Sequence, residues 1–591
     1  MIVGNNRLKV EIREDIYSGR LAIRFMRGDF DYFINTIKSF PLSTFSRKEK
    51  IWTIPIELGI AFLNTFNLPQ TPAFISYIRT LLYNRKSLER GTQIFNTYYS
   101  KLLNTTLKTH LLPFQEDGVK FLLGTKGAIL NADIGLGKTL IALTASIILH
   151  EKWKDDIRAN FSSNMSPEKL RELLTRKKFR VLVVCPSSLK YHWKEQIKEH
   201  FSPSISYTVV DGGKQVRTSQ YKYPSLFTIT SYELVRMDWD INLLRSIPFN
   251  IIILDEVTKI KNFRTKTYKN ILKIPSTYKW GLTGSAIENS PVDLFSIFNF
   301  IDRSKFNKDW WMFKKHFLIT HPITLPDGRT YEEVVDYKNL ELLKLLTRPY
   351  IFIKKKRDVL KQLPPVIQKN YWLHLTPEQE EAYDEILEMV RAQEVDPLAS
   401  LTYLREVVNS TSLISNLLPN LNGSSCKLEE LLSILPETGD EKVVIFSQFK
   451  KFVDLVEEEL ERNNYTTLKI TGEDSSEEKM KKVEKFNNHK GKIILLATDV
   501  IAYGINLQHS CSILINLDLP WNPMKLENRI GRLDRMGQKN PVTVINLLTK
   551  STIEERVWNI LTKKKELINK LLSLEREVKD MEFYRWLVER R

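Results

Sequence analysis

The chain has 591 residues and a net charge of +18, with 88 Lys and Arg against 70 Asp and Glu. The length allows about three or four domains, and the basic excess suits a polyanionic partner, although a solvated basic surface gives the same count. Three scattered cysteines exclude a disulfide framework, and neither a membrane span nor a signal core is present, so we expect a soluble, intracellular protein.

The N-terminal stretch carries a large share of the positive charge. Residues 1–110 hold 16 Lys and Arg against 8 Asp and Glu, a net charge of +8. Residues 30–57 predict a helix, a turn and a strand that contains Trp52. This pattern indicates a small basic α/β module. A role on DNA and a structural role with a tryptophan core both remain open.

Residues 127–143, GAILNADIGLGKTLIAL, predict a strand, a glycine turn and a helix. Gly135 and Gly137 lack Cβ atoms, so backbone N–H groups can surround a polyphosphate at the positive end of the following helix. Lys138 is then expected to reach the β- and γ-phosphates, and Thr139 to offer its hydroxyl to Mg²⁺. A plain glycine turn is the alternative, and other motifs have to decide between the two.

A polar, charged insertion over 151–178 is expected to be helical. Further along the chain, residues 249–262 read FNIIILDEVTKIKN. Four aliphatic residues, 251–254, predict a buried parallel strand with Asp255 and Glu256 at its carboxyl end. In a phosphate-loop ATPase the first carboxylate holds magnesium and the second orients or deprotonates water. An acidic helix cap is the alternative for this pair taken alone.

Residues 527–538, ENRIGRLDRMGQ, place Arg532 and Arg535 three positions apart, so a helix would present both on one face. Arginine fingers that stabilise phosphoryl transfer contribute roughly 10³ to 10⁵ in rate. Because the pair lies far downstream of Lys138, a second lobe is expected to supply it. An exposed basic helix is the alternative.

The motifs, in chain order, resemble the Swi/Snf-type branch of the superfamily-two helicase-like ATPases over roughly residues 106–565. The segments that carry the resemblance are LLPFQEDGVKFLL (111–123), ADIGLGKT (132–139), VLVVCPSSLKYHWKEQI (181–197), ITSYE (229–233), LDEVTKIKN (254–262), GLTGSAIENSPVDLFSIFNFI (281–301), VVIFSQF (443–449), LLATDVIAYGINLQ (495–508), LDLPWNP (517–523) and NRIGRLDRMGQ (528–538).

The resemblance implies an α/β fold of two RecA-like lobes, in which parallel sheets are flanked by helices and extended by helical protrusions. It implies a DNA-dependent ATP hydrolase with ATP and Mg²⁺ in the cleft between the lobes. Double-stranded DNA is expected to lie across both lobes. Members of the branch move along duplex DNA without conventional strand separation.

The resemblance also assigns roles by position. The implied catalytic residues are Lys138, Asp255, Glu256, Arg532 and Arg535. The implied metal ligands are Thr139 and Asp255, and the implied coupling residues are Thr283 and Gly284. ATP is expected to contact Gln115, Asp133, Gly135, Leu136, Gly137, Lys138, Thr139, Gly504 and Asn506. DNA phosphates are expected at Pro186, Ser187, Thr230, Ser231, Ser447, Gln448 and Thr498, each of which is otherwise a turn or cap residue.

Three positions depart from the family pattern. Thr258 stands where a histidine often links the acidic pair to the coupling motif. TGSA (283–286) replaces the common T-G-T-P, and Asn528 stands where a glutamine usually precedes the two arginines. Thr258 puts the strength of coupling in doubt, but none of the three removes a group that the chemistry requires.

The expected domains are a basic N-terminal module (1–105), lobe 1 with a helical protrusion (106–350), a linker with the lobe 2 protrusion (351–425), lobe 2 (426–560), and a C-terminal bracing helix with a basic tail (561–591). The protrusions are expected within 302–350 and 366–424. The N-terminal module resembles the HARP domain that precedes the motor of annealing helicases.

The leading functional hypothesis is a double-stranded DNA translocase that anneals strands or reverses forks during replication, recombination or repair. The alternatives are a RapA-like motor that displaces RNA polymerase or other proteins from DNA, a chromatin remodeller, and a DNA-binding scaffold with an inactive motor. Expected partners are branched DNA and single-stranded-DNA-binding, replication or transcription proteins. We expect a monomeric motor in the nucleoid or cytoplasm of a prokaryote or phage, or in a eukaryotic nucleus.

Overall fold

A computed structural model of the chain provides the coordinates. It describes residues 2–5, 7–15, 20–40, 43–46, 50–55, 58–68, 87–161, 178–284, 291–302, 310–324, 330–340, 343, 347, 350–360, 362–419, 421–499 and 507–572. These residues form two compact units. The first comprises Met1–Ala132, Gly137–Lys354 and Asn569–Arg591, and the second comprises Asp133–Leu136 and Lys355–Ile568.

The first unit begins with a five-stranded antiparallel sheet in the order β1-β2-β3-β5-β4. Its strands are β1 (Ile2–Gly4), β2 (Leu8–Asp15), β3 (Arg20–Gly28), β4 (Thr44–Ser46) and β5 (Ile51–Pro55), and its helices are Phe30–Ser39 and Gly59–Thr65. The expected helix, turn and strand are therefore present, with β4 in addition. Trp52 is only half-buried, and the largest fully buried side chains of this part of the chain are Phe33, Phe62 and Phe66. A tryptophan core was thus wrong.

The next helix, Ser87–Thr105, packs closely on the helix Pro113–Gly124. A Cβ at Gly91 would lie 1.9 Å from the carbonyl oxygen of Lys120, so only glycine permits this approach. The Tyr99 hydroxyl accepts a hydrogen bond of 2.9 Å from the Leu111 N–H. This helix is therefore built into the packing of the segment that precedes the first parallel sheet.

The first parallel sheet has seven strands in the order β14-β6-β11-β10-β7-β9-β8. Its members are β6 (Gly127–Ala132), β7 (Val181–Cys185), β8 (Tyr207–Val209), β9 (Phe227–Ser231), β10 (Phe249–Asp255) and β11 (Ser276–Thr283), and, after a separate hairpin of β12 (Leu318–Thr324) and β13 (Thr330–Tyr337), β14 (Ile351–Lys354). The central strands are apolar and fully buried because helical connections cover both faces of a parallel sheet.

Helices connect the strands of this sheet. They are Lys138–Phe161, Lys190–His200, Lys214–Lys222, Tyr232–Arg236, Asp238–Ser246, Lys266–Ile271, Val292–Ile301 and Trp310–Phe317. The insertion expected over 151–178 begins as the end of the helix Lys138–Phe161, and 162–177 lie outside the described residues. The protrusion expected to be helical within 302–350 is helical over Trp310–Phe317 and then forms the hairpin β12–β13, whose threonine-, valine- and tyrosine-containing strands favour extended backbone.

The second unit holds a six-stranded parallel sheet in the order β15-β20-β19-β16-β18-β17. Its strands are β15 (Val366–Leu373), β16 (Val443–Phe446), β17 (Thr467–Ile470), β18 (Ile494–Ala497), β19 (Ile513–Asn516) and β20 (Val542–Thr549). Its helices are Lys356–Val359, Pro377–Arg391, Pro397–Val407, Cys426–Glu437, Lys450–Arg462, Ser476–Asn488, Pro523–Ile530 and Ile553–Leu572. The prediction of two lobes with parallel sheets and helices is confirmed.

Two further expectations concern the C-terminal half. The helix Ile553–Leu572 begins before the range 561–591 expected for the bracing helix, and its bracing role remains a prediction; the tail after it lies outside the described residues. The expectation that one helix carries both arginines is wrong, because the helix Pro523–Ile530 ends before them, with Gly531 as its C-cap.

Among the described helices, none combines the length and apolarity of a membrane span. All three cysteines are buried and unbridged.

Candidate active site

The candidate nucleotide residues of the first unit lie at the carboxyl ends of adjacent parallel strands. β6, which ends at Ala132, pairs with β11, and β11 pairs with β10 so that Leu282 lies opposite Asp255. Thr283, at the end of β11, lies opposite Asn131 of β6. Parallel pairing therefore brings the phosphate loop, the acidic pair and the expected coupling residue to one edge of the sheet.

The phosphate loop follows β6, and Lys138 begins the next helix. The Lys138 ammonium donates a hydrogen bond of 2.7 Å to the carbonyl oxygen of Ala132, so the side chain folds back over the loop. Gly137 has a φ of +76°, and a Cβ there would lie 2.5 Å from Nε2 of Gln115. The positive φ favours glycine, and a Cβ would displace the end of the Gln115 side chain.

Gln115 has a second structural task beside this loop. Its side-chain oxygen accepts a hydrogen bond of 3.0 Å from the Leu112 N–H at the start of the helix Pro113–Gly124. The residue is 4% exposed. The helix cap thus fixes Gln115 next to Gly137, which is the position expected of a residue that contacts the base of a nucleotide bound at the loop.

Asp255 is buried, and neighbouring donors hold both of its carboxylate oxygens. Trp193 Nε1 donates to Oδ2 at 2.8 Å, and the Glu256 N–H donates to Oδ1 at 3.1 Å. Burial raises the pKa of Asp255, while Trp193, Lys138 and the Glu256 N–H act in the opposite direction. Trp193 lies inside the segment 181–197 that carries the family resemblance, but no local pattern there marks it as a partner of Asp255.

Glu256 adopts a left-handed backbone conformation, with φ +52° and ψ +60°. Such a conformation is unfavourable for a residue with a Cβ and is found most often at functional sites. The Tyr232 hydroxyl donates to the Asp255 carbonyl at 2.8 Å and lies 3.3 Å from the Glu256 carbonyl. Tyr232 therefore holds the strained turn that aims the Glu256 side chain.

The remaining first-unit residues pack beneath this turn. A Cβ at Gly281 would lie 2.9 Å from a methyl group of Val257, so β11 lies tightly against the segment that follows the acidic pair. Thr258, which replaces the usual histidine, is 3% exposed, and Thr283 is 1% exposed. The threonine is compatible with this packing, and the coupling roles of Thr283 and Gly284 remain predictions.

The loop residues Asp133–Leu136 belong to the second unit. Gly135, at φ +89°, leaves no space for a Cβ, which would lie 2.6 Å from Cγ of Arg535. Asp133 accepts a hydrogen bond of 2.7 Å from the Lys356 N–H, and the Lys356 ammonium lies 2.8 Å from Oδ2 of Asp534. Arg535 therefore lies against Gly135 within the second unit, and its finger role remains a prediction.

Arg532 and Arg535 lie in successive turns after the helix Pro523–Ile530, not on one helical face. The N–H groups of Arg532 and Leu533 bond three residues back, which tightens the chain beyond Gly531. Arg532 is 5% exposed, and its Nε donates to the Asn528 carbonyl at 3.2 Å. Burial lowers the pKa of the Arg535 guanidinium. Asn528 therefore supports Arg532 through its backbone rather than its side chain.

The DNA contacts expected in the first unit differ in exposure. Ser187 is exposed and Pro186 half-buried after β7. Thr230 is fully buried and shares a hydrogen bond of 3.1 Å with the Tyr221 hydroxyl, while Ser231 caps the helix Tyr232–Arg236. Ser231 therefore has the expected cap role, whereas Thr230 is a buried residue of β9 and not a turn or cap residue; contacts to DNA remain predictions for all four.

The DNA contacts expected in the second unit lie around Asp518. Ser447 donates to Oδ2 of Asp518, and Nε2 of Gln448 donates to Oδ1 at 3.0 Å. Thr498 directly follows β18, which is the strand next to β16. Its buried hydroxyl has no hydrogen-bond partner within the described chain. DNA contacts remain predictions for Ser447, Gln448 and Thr498.

Arg529 is a further residue that the sequence analysis did not single out. It is fully buried, and its guanidinium donates to Asp499 at 2.7 Å, to the Asn516 side chain at 2.8 Å and to the Asp518 carbonyl at 2.9 Å. It also lies 5.2 Å from the Phe446 ring. Arg529 therefore joins the ends of several second-sheet strands and is structural, whereas Gly504 and Asn506 lie outside the described residues.

Comparison with known families follows the same division of the chain. The family described as SNF2-related domain matches residues 114–421, and the helicase conserved C-terminal domain matches 426–537. The chain belongs to the SNF2-related family. The first match includes the phosphate loop and the acidic pair, and the second includes Asp518 and both candidate finger arginines. The Swi/Snf-type resemblance is confirmed, whereas the HARP-like assignment remains a prediction.

SNF2-related relatives carry several different names. An uncharacterized ATP-dependent helicase of Mycoplasma pneumoniae is 28% identical over 80% of this chain and 43% of its own length. A chicken DNA repair and recombination protein RAD54-like is 26% identical over 81% of this chain and 69% of its own. The TATA-binding protein-associated factor MOT1 of Saccharomyces cerevisiae is 27% identical over 78% and 27%.

The chain matches only part of the length of several of these relatives. This SNF2-related chain spans less than half the length of two Mycoplasma relatives, 43% and 48%. A solved Sulfolobus solfataricus SWI2/SNF2 ATPase core in complex with dsDNA is 26% identical over 81% of this chain and 95% of that one, with a TM-score of 0.36.

Proposed function

We propose that this chain is an ATP-driven motor that moves along double-stranded DNA and remodels branched or partly unwound DNA by strand annealing or fork reversal. One observation carries the ATPase proposal. The carboxyl ends of parallel strands bring together the phosphate loop at Lys138, the buried, hydrogen-bonded Asp255 and the strained Glu256. Membership of the SNF2-related family, with its helicase C-terminal domain, supports it.

In this proposal Lys138 exchanges its Ala132 carbonyl for phosphate oxygens of ATP, and Thr139 and Asp255 hold Mg²⁺. Mg²⁺, when bound, offsets phosphate charge and aligns the γ-phosphate. Within the described part of the chain no three His, Cys, Asp or Glu side chains form a metal cage. This fits Mg²⁺, which usually takes few protein ligands and completes its shell with phosphates and water.

Glu256 then orients a water molecule and accepts its proton as the water attacks the γ-phosphorus and ADP leaves. Arg532 and Arg535 stabilise the charge that develops on the transferred phosphoryl group. The contact between Gly135 and Arg535 supports this role. Gln115, Asp133, Leu136, Gly504 and Asn506 complete the proposed nucleotide contacts, and Thr283 and Gly284 couple turnover to movement.

A basic surface on the N-terminal sheet supports a second DNA arm. Lys9 and Arg27 lie opposite each other on β2 and β3, and both are exposed. Like charges in directly opposed strand positions destabilise a sheet, so a polyanion on this face offers a reason for the pair. In the proposal this module directs the motor to branched DNA, where two duplex arms diverge.

A second candidate function is a motor that moves proteins on DNA. Relatives named TATA-binding protein-associated factors, at 27% identity, favour this function over a DNA-binding scaffold with an inactive motor. In either case the proposed motor is monomeric, and its partners include single-stranded-DNA-binding, replication or transcription proteins.

The test is ATP turnover with no DNA, single-stranded DNA, linear duplex and forked DNA. We expect the duplex to stimulate turnover, the fork to stimulate it further, and a simple partial duplex to keep both strands annealed. Lys138→Ala and Glu256→Gln should abolish turnover and largely retain DNA binding, which many basic contacts share. Undiminished turnover in either variant would overturn the active site, and robust strand displacement would assign another motor class.

A further inference from the structure

A second surface of the first unit lies at the amino ends of the strands, away from the candidate nucleotide site. Arg180 immediately precedes β7, Leu226 precedes β9, and Pro248 precedes β10. Because these strands are parallel, this edge is opposite the one that carries Asp255 and the phosphate loop. We call it the amino-end face.

Two cavities of about 360 and 440 Å³ on the amino-end face share Pro224 in their walls. These volumes lie within the usual range for ligand pockets. Arg180 and Lys222 line the smaller cavity, and Trp153 and Tyr223 line the larger one. The described residues that line the two cavities include no Asp or Glu.

Arg180 is the central observation. Its backbone is fixed, because its N–H donates to the Asn250 side chain at 2.9 Å and its carbonyl accepts from the Asn250 N–H at 2.8 Å. Its Nε is buried and has no hydrogen-bond partner among the described residues. Burial lowers the pKa of the guanidinium. Arg180 as a whole is half-buried, but a buried N–H donor without an acceptor is costly, and a bound anion would satisfy it.

Aromatic side chains line the larger cavity, next to the one that Arg180 lines. Tyr223 is 70% exposed, and the Lys222 ammonium lies 5.6 Å from its ring. In the larger cavity His150 and Trp153 stack at 6.1 Å, and Nδ1 of His150 is buried without a hydrogen-bond partner in the described chain. Burial, together with Lys154, lowers the pKa of His150 to about 4, so the ring is neutral at pH 7.

We propose that the amino-end face binds single-stranded nucleic acid, with a phosphate at Arg180 and unpaired bases against Tyr223 and in the larger cavity. Cations that follow the backbone, combined with aromatic rings that stack on bases, are the usual chemistry of single-strand binding. A duplex keeps its bases stacked inside and cannot place them in cavities. An acidic peptide would use Arg180 but would not need Tyr223.

The test is binding of a fluorescent 20-nucleotide oligo(dT) to the full chain, without nucleotide and with excess linear duplex to occupy the proposed motor surface. Arg180→Gln should weaken binding and reduce the slope of log affinity against log salt by about 0.7, as expected for one phosphate contact. Tyr223→Ala should weaken binding about tenfold without changing this slope. The matched control Lys198→Gln, at an exposed lysine paired with Glu195, should bind like the wild type.

Ultraviolet crosslinking with bromodeoxyuridine-substituted oligonucleotide should map to Trp153 or Tyr223. Wild-type affinity in both Arg180→Gln and Tyr223→Ala would overturn the proposal, and so would an Arg180→Gln defect confined to an aspartate-rich peptide. Glu256→Gln should bind the oligonucleotide normally. Failure of the proposed ATPase would therefore leave this binding intact, and failure of the single-strand site would leave duplex-stimulated turnover intact.

Discussion

The indole N–H of Trp193 donates a hydrogen bond of 2.8 Å to Oδ2 of Asp255, and both side chains are buried. The two residues are 62 positions apart in the chain. A charged acceptor makes this a strong interaction, since hydrogen bonds to ionised groups are roughly twice as strong as neutral ones. Trp193 thus opposes the effect of burial, which raises the pKa of Asp255.

The first prediction is that Trp193→Phe moves the acidic limb of the pH profile of kcat to higher pH. Loss of the donor raises the pKa of Asp255 further, so more of the residue is protonated at a given acidic pH. We expect kcat at the acidic end to fall about tenfold, with a smaller loss at neutral pH. ATP turnover measured between pH 5 and 9 tests this.

Trp280→Phe is the matched control, because Trp280 is also buried but its Nε1 has no hydrogen-bond partner among the described residues. It should leave the pH profile in place. An equal displacement in both variants would show that Trp193 acts through packing alone.

The second prediction concerns backbone strain at Glu256. In most positions glycine is less stable than alanine by about 0.5 to 1 kcal/mol. At φ +52° the order should reverse, because an L-residue with a Cβ costs roughly 1 to 2 kcal/mol in this conformation. Glu256→Gly should therefore be more stable than Glu256→Ala by about 1 kcal/mol, and both should lack turnover. Chemical denaturation measures the free energy of unfolding of both variants. A Glu256→Ala variant more stable than Glu256→Gly would contradict the backbone strain at this position.

The third prediction compares two glycines with positive φ. Gly137→Ala places a Cβ 2.5 Å from Gln115, whereas Gly491, at φ +88°, has no atom within 4 Å of a Cβ. Both variants should lose about 1 kcal/mol of stability, but only Gly137→Ala should lose binding of a fluorescent ATP analogue, by at least about tenfold. Normal analogue binding by Gly137→Ala would mean that this loop does not hold the nucleotide.

Local motifs made parts of this site predictable. The strand, turn and helix at Lys138 and the strand that ends at Asp255 follow from glycine spacing and short apolar runs, which act within a few residues. The partners of these motifs were not predictable. Trp193 and Asp518 act across 62 and 71 positions, and no local pattern marks a tryptophan as a carboxylate donor.

The arginine segment shows a different limit. A spacing of three suits a helix, but Gly531 lies between Ile530 and Arg532, and glycine is the residue that most often follows the end of a helix. The sequence therefore contains a signal that the helix ends at Ile530, although the three-residue spacing of the arginines favoured a continuous helix. The aromatic run over 310–317 indicates its own helix and carries no signal for the hairpin β12–β13 that follows it.

The fourth prediction concerns the buried carboxylate of Asp518. Burial alone would raise its pKa, but Arg529, Arg405, Lys427 and Ser447 outweigh burial and hold the pKa below its ordinary value. Its contribution to stability is therefore full above the ordinary aspartate pKa of about 3.9 and is lost as the pH falls through the lower folded-state pKa. Asp518→Asn should lower stability at pH 7 by about 3 kcal/mol.

Thermal unfolding at pH 7, 5 and 3.5 checks the sign. The difference in Tm between wild type and Asp518→Asn should be similar at pH 7 and 5 and should begin to shrink at pH 3.5. Asp238→Asn, at an exposed carboxylate paired with Lys266, is the control and should show a small difference at every pH. A difference that grows on acidification would contradict the lowered pKa.

The last prediction concerns the N-terminal module. Because the helix Ser87–Thr105 packs on the helix Pro113–Gly124, the deletion that spares the motor removes residues 1–86 and not 1–105. Residues 1–86 hold 13 Lys and Arg against 7 Asp and Glu, a net charge of +6. The truncated chain should keep duplex-stimulated turnover and lose several phosphate contacts, each of which reduces the salt slope of binding by about 0.9.

The module raises the local concentration of a second DNA site, which matters at a fork and much less on a linear duplex. We therefore expect the fork-to-linear ratio of ATP turnover to fall in the truncated chain, and annealing or fork reversal to be lost. The full-length variant Lys9→Gln with Arg27→Gln removes charge and keeps the sheet, so it should lower the same ratio in part. If both proteins retain the wild-type thermal transition and the wild-type ratio, the module does not select DNA structure, and its role lies with protein partners.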